Sequence, residues 1–179
     1  MARDHLSDRP NWQGTSAARG HGAEDAFTVI MQMHLRGSSI EAVYKPNDLA
    51  GIYGQRRGPD DRMRPHGVRP EFAVRNRETD RAVYVEIKRQ RASGNAHERA
   101  CKYLMPGIVA SAQPIANQPA GVLPFWLIFT NGIATNPNYR QEIMHWFRGI
   151  ERHVLLWENV RDVAAVTDHF DQHIRPLLG

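Results

Sequence analysis

Alternation of apolar and polar positions is clearest at Ala82-Val83-Tyr84-Val85-Glu86-Ile87-Lys88, where β-branched residues at period two predict a strand. Successive strand side chains point to opposite faces. Val83, Val85 and Ile87 are therefore expected on the buried face, and Tyr84, Glu86 and Lys88 on the other. Glu71-Phe72-Ala73-Val74-Arg75-Asn76 is a second short run, and Arg77-Glu78-Thr79-Asp80 between the two is polar turn material. An antiparallel hairpin closed by that turn pairs residues whose numbers sum to 157, so 76 faces 81, 73 faces 84 and Glu71 lies opposite Glu86.

Elsewhere the pattern changes period. Gly22 to about Arg36 predicts a helix with Phe27, Ile30, Met31, Met33 and Leu35 as apolar surface and Gly37 as its end. Ser93 or Asn95 is expected to cap a helix running to about Leu104, before Pro106-Gly107 interrupts it. Val122–Thr130 is a continuous apolar run suited to a central strand. Asn136–Arg148 predicts a helix with Ile143, Trp146 and Phe147 inward, His153–Trp157 a short strand, and Val160–Leu177 a closing helix. Trp126, Trp146 and Trp157 are expected to be core aromatics. Gly51–Pro70, rich in Gly, Pro, Arg and Asp, predicts a surface loop. Residues 1–20 show no period and are expected to form a flexible basic arm with Trp12 as an anchor, leaving 21–179 as a single domain. Helix, hairpin, helix, strand, helix, strand, helix argues an α/β fold, a mixed β-sheet flanked by helices.

Composition narrows the class. The chain is 41% hydrophobic and 23% charged, as in soluble globular proteins. No apolar run approaches the ~20 residues that cross a bilayer. MARDHLSDRP lacks the apolar stretch of a signal peptide, and Cys101 as the single cysteine excludes an intrachain disulfide, so a cytoplasmic protein without membrane contact is expected. The net charge is +4, and the excess arginine is concentrated between Arg56 and Lys102, around the hairpin. A polyanion is the natural partner, and the 51–70 loop can face it.

Two carboxylates opposed on one face destabilise a hairpin. Glu71 and Glu86 beside Lys88 make better sense with a hard cation between the acids. Charges on a half-exposed strand are also ordinary, so the hairpin alone leaves catalysis and a solvated strand end equally open. Asp60 and Asp61 are rival acids, but no simple hairpin register brings Asp60 beside Glu86. Glu24 is explained more cheaply by the helix dipole. His97 and Cys101, four apart, lack the second pair that zinc needs, and His169 and His173 are expected to be solvated helix-face residues.

Pro70-Glu71, fourteen residues, then Glu86-Ile87-Lys88 resembles the PD-(D/E)xK nucleases. Gly94-Asn95-Ala96-His97-Glu98-Arg99 resembles the GNAxER segment of EcoRI-like and MunI-like type II restriction endonucleases, at the right distance after the ExK strand. The likeness covers roughly Gly67 to Ile108; Glu71 departs from it, since most members have Asp there. The resemblance implies a restriction-endonuclease-like fold in which Glu71 and Glu86 ligate Mg²⁺ with the main-chain carbonyl of Ile87, while Lys88 orients or helps deprotonate the attacking water. It further implies that Asn95, Ala96, Glu98 and Arg99 approach base edges of double-stranded DNA. The chemistry fits independently: Asn pairs with adenine, Arg donates to purine acceptors and Glu accepts exocyclic amines. Without the hairpin, Gly94-Asn95 reads as a helix-start turn and Glu98 and Arg99 as a solvated first turn; the hairpin at the family spacing reverses that preference. The expected activity is hydrolysis of DNA at a specific short site, leaving 5′-phosphate and 3′-hydroxyl ends. A chain this short carries one catalytic centre, so a homodimer on a palindromic site is expected, with a cognate DNA methyltransferase in the same system. A repair or junction nuclease, one subunit of a heterodimeric or nicking system, and a non-catalytic DNA-binding module are the competing readings.

Overall fold

The computed structural model describes residues 9–90 and 95–179, with side chains from residue 22 onward. Helix α1 (Arg9–His34) is followed by strands β1 (Ile40–Tyr44), β2 (Gln55–Arg57), β3 (Met63–Pro65), β4 (Phe72–Asn76) and β5 (Ala82–Arg89). Helix α2 (Ala96–Ala100) continues through a 3-10 turn, Cys101–Leu104, into α3 (Pro106–Ile115). Strand β6 (Phe125–Thr130), helices α4 (Gly132–Thr135) and α5 (Pro137–Trp146), strand β7 (Val154–Trp157) and helix α6 (Val163–His169) complete the order. A wide π turn, Phe170–Ile174, extends α6.

One five-stranded sheet has the order β1-β4-β5-β6-β7. Its first three strands are antiparallel and its last three parallel. Phe72 pairs with Val85, Ala73 with Tyr84 and Val74 with Val83, the register expected from the turn length. On one face Phe27 and Met31 of α1 and Phe170 close over Val83, Val85 and Trp126. On the other, Tyr103, Ile143 and Phe147 close over Tyr84, Phe125 and Phe129. Strand β5 is thus buried on both faces, and the side of Tyr84 is not the open one that alternation alone suggests. A central strand between two helical layers has no solvent face except at its end.

Several expectations need correction. Helix α1 takes in residues 9–20, which show no period in the sequence, and residues 1–8 lie outside the described residues. Ala17-Ala18-Arg19 favours helix by propensity, which a search for periodicity does not detect. Strand β1 was not anticipated; it is a short edge strand identified by its ladder to β4. The 51–70 loop contains a separate two-stranded ribbon of β2 and β3. Its stem closes where the Val68 N–H donates to the Leu49 carbonyl at 3.2 Å. At Gly67 an added Cβ would lie 2.1 Å from the Leu49 oxygen, so the close approach admits only glycine. Trp126 and Trp157 are core residues, but Trp146 is 39% exposed.

His169 is no solvated residue: its ring stacks on Trp126 at 5.5 Å between centroids and bonds the Val154 carbonyl. His153, 1% exposed, donates from Nδ1 to the Phe125 carbonyl at 2.9 Å. Burial pushes both imidazoles down from 6.5 to about 4, His169 with help from His173. Folding therefore keeps both neutral, while the unfolded chain takes up protons near pH 6.5. Their contribution is fully present above that pH and is lost as pH falls from 6.5 toward 4. Thermal unfolding scans across this window should show the melting temperature falling. The fall should be shallower in His153→Asn, which retains the donor and cannot titrate; equal slopes would contradict the assignment.

Candidate active site

The carboxyl end of β5 carries Glu86 and Lys88, fixed by the parallel ladder that pairs them with Leu127 and Phe129. Glu86 is only 3% exposed. Its Oε1 meets the Lys88 ammonium and its Oε2 accepts the Tyr103 hydroxyl at 2.6 Å. Burial, then the Glu86 charge, pushes the Tyr103 phenol up, so it remains a protonated donor. The β4–β5 register, continued one residue past Phe72–Val85, sets Glu71 opposite Glu86. The Glu71 carbonyl accepts the Lys45 N–H at 2.8 Å, extending the β1–β4 ladder and holding Glu71 at the sheet end.

The electrostatics of the site follow from this arrangement. Burial raises the Glu71 carboxyl above its ordinary value; the charges of Glu24 and Glu86 raise it further, against Lys88 and Lys45. Glu24, set aside on the dipole argument, therefore stands within electrostatic reach of the pair, its Oε2 accepting the Tyr44 hydroxyl at 3.2 Å. Lys102, its Nζ 4.7 Å from the Tyr103 ring centre, is lowered by burial, against the pull of Glu86 and Glu71. Asp60 and Asp61 are elsewhere, paired at 2.7 Å with Arg64 and Arg57 on the ribbon.

These donors suit a hard cation. Among the described residues no group of three or more His, Cys, Asp and Glu side chains gathers as a closed metal cage. Two carboxylate oxygen donors at a strand end leave room for water and phosphate, the habit of Mg²⁺ rather than of zinc. Like-charge repulsion in the metal-free protein is its counterpart. A raised folded-state carboxylate destabilises the fold once pH climbs above its value, so Glu71 is a burden at neutral pH. Glu71→Gln should raise the metal-free melting temperature by about 1–4 °C, given ~0.5–1 kcal/mol for an opposed like-charge pair in a chain this size. It should also abolish stabilisation by added Mg²⁺; a lowered melting temperature would refute the pairing.

Beyond β5, α2 sorts its residues by face. The Ala96 N–H donates to Gln90 Oε1 at 2.7 Å, so Gln90 satisfies the helix start. Asn95 occupies the N-cap position without a capping side-chain bond and stays exposed. Glu98 and Arg99 are also exposed, and Ala96 is half-buried. His97 turns inward, 3% exposed, with Nε2 bonded to Glu142 Oε2 at 2.6 Å and its ring stacked on Trp146 at 4.9 Å. This explains why Trp146 is not in the core. It also removes the zinc reading, since Cys101 Sγ only donates weakly to the His97 carbonyl at 3.6 Å. Gly94 and Ser93 lie outside the described residues.

Sequence reasoning missed Tyr103, Lys102, Gln90 and Glu142. No spacing marks them, because each reaches its partner through the fold. Tyr103→Phe should reduce cleavage or metal affinity on the order of 10-fold, the typical loss when a ligand's supporting hydrogen bond is removed. Metal titrations at fixed DNA would read it, and unchanged metal dependence and rate would leave Tyr103 a packing residue only.

Comparison with known proteins gives concordant results. The family profile described as type II restriction enzyme MunI matches residues 1–179. A curated type II restriction enzyme MunI from Mycoplasma sp is 28% identical over 201 residues, covering 99% of this chain and all of the relative. The crystal structure of MunI restriction endonuclease in complex with cognate DNA is similar with a TM-score of 0.76 and 28% identity, covering 94% of this chain and 98% of that one.

Proposed function

The chain belongs to the MunI family of type II restriction enzymes, and from that membership we propose a Mg²⁺-dependent endonuclease that cuts double-stranded DNA at one short sequence. The observation that supports the reading is the β4–β5 register, which continued by one residue sets Glu71 opposite Glu86, with Lys88 paired to Glu86 near the carboxyl end of β5.

Glu71 and Glu86, with the main-chain carbonyl of Ile87, would hold the ion. When bound, it supplies Lewis-acid polarisation of the scissile phosphate and neutralises the charge that grows there. Lys88 would orient the attacking water and help remove its proton. Tyr103 keeps Glu86 in one rotamer by occupying Oε2. Hydrolysis would leave 5′-phosphate and 3′-hydroxyl ends. Asn95, Ala96, Glu98 and Arg99 would read base edges in the major groove, with His97 and Glu142 holding the helix behind them. One catalytic centre per chain suits a homodimer on a palindromic site, working in the cytoplasm beside a methyltransferase that protects host DNA.

Incubating the protein with a defined plasmid and Mg²⁺, then sequencing the ends, tests the proposal. Unique 5′-phosphorylated ends at one repeated sequence are expected. Specific binding with Mg²⁺ present and no cut would instead establish a non-catalytic DNA-binding module, and cuts without sequence preference a repair-type nuclease.

A further inference from the structure

The β2–β3 ribbon contributes nothing to either core. All six of its strand residues are exposed. A lone two-stranded hairpin is marginal in water, yet this one is held by its stem. There the Tyr53 N–H donates to the His66 carbonyl at 2.8 Å and Gly67 lies against the backbone of Leu49 and Ala50. The ribbon carries Arg56, Arg57, Arg62 and Arg64 within nine residues. Side-chain exposure of Arg57, Arg62 and Arg64 is 69%, 84% and 58%.

Topology decides which way this patch faces. The ribbon leaves the sheet after β1 and returns just before β4. Because β1 and β5 both run antiparallel to β4, the carboxyl ends of β1 and β5 and the start of β4 share one end of the sheet. Glu71, Glu86 and Lys88 lie at that end, and α2 leaves it on the β6 side, tied to α5 through His97 and Glu142. Ile52 and Tyr53 at the ribbon's foot line a common cavity with Lys102 and Met105, next to Tyr103. The ribbon therefore springs from the β1–β4 side of the sheet end that carries the acids, and α2 from the β5 side.

We propose that the β2–β3 ribbon is a second DNA-binding element, whose arginines hold the phosphate backbone of the duplex on the side of the catalytic acids away from α2. The inference rests on the reading that a duplex crosses the carboxyl end of β5, and adds a contact that no base-reading residue supplies. Arg57–Asp61 and Arg64–Asp60, each at 2.7 Å, are exposed pairs. Such pairs are weak, and a phosphate accepts a guanidinium fork at least as well as a carboxylate does. Asp60 and Asp61 thus hold the arginines extended before DNA arrives and yield them when it does.

The test is fluorescence anisotropy with a non-cognate duplex of about 30 bp, without divalent metal, so that binding is read apart from cleavage; each phosphate contact contributes about 0.9 to the slope of log K against log salt. Replacing Arg56, Arg57 and Arg62 by Ala should weaken binding about tenfold or more near 0.1 M salt and lower that slope by about 2–3. The control removes equal charge at Arg36, Arg148 and Arg152, which precede β1 and β7 and so lie at the opposite sheet end; it should change binding less than about twofold. A ribbon triple variant that binds like the control triple overturns the inference, even if the wild type cuts plasmid. If the wild type cuts nothing while the ribbon triple alone loses binding, the inference stands and the nuclease reading fails.

Discussion

Glu86→Ala protein should bind its duplex and leave it uncut, with cleavage down at least about 10³-fold, if Glu71 and Glu86 together hold the cation that would polarise the phosphate. Affinity for DNA should stay within a few-fold of wild type or improve, since an anion near the backbone has been removed. The fold must be considered, because Glu86 is nearly buried and both its oxygens are engaged. Alanine leaves the Tyr103 hydroxyl without its acceptor, at a cost of about 1–3 kcal/mol. Glu86→Gln keeps an acceptor for Tyr103 and removes only the charge, so it should be as inactive and more stable. Gel shift beside a plasmid linearisation assay reads both quantities. Cleavage by either variant within tenfold of wild type would end the two-carboxylate mechanism.

Replacing Glu98 or Arg99 by alanine should act on sequence choice rather than on chemistry. Both are exposed on α2, whose inner face is locked by His97 against Trp146 and Glu142, so the substitutions leave the core untouched. A well-formed side-chain-to-base pair is worth about 1–3 kcal/mol of discrimination, or roughly 5- to 150-fold per half-site. In a symmetric dimer both half-sites lose it. Selection of cleaved molecules from a randomised duplex library measures this. Wild type should return one sequence, and the variants a degenerate set with slower cutting of the original site. A variant that returns the same single sequence at the wild-type rate would show that α2 does not read bases.

The hairpin was legible because both of its determinants are local. Period-two alternation chose the face, and the length of the Arg77–Asp80 turn chose the register. Together they brought Glu71 to Glu86 without knowledge of anything else in the chain, and the Gly94–Arg99 motif named the segment that follows. The break at Pro106 was legible, but edge strand β1, the ribbon and the helix α3 that starts at that proline were not. Short elements carry too little periodic signal, and each is defined by a partner distant in sequence or by a proline.

What the sequence determined by itself was thus the hairpin register that brings Glu71, Glu86 and Lys88 to one sheet end, because neighbours along one chain obey the geometry of strand and turn. What only the tertiary structure decided was the surroundings. Tyr103 on Glu86, Glu24 within reach of Glu71 and His97 turned inward onto Glu142 all join segments that meet only when helices close over both faces of the sheet. Packing sets those contacts, and no local period encodes them.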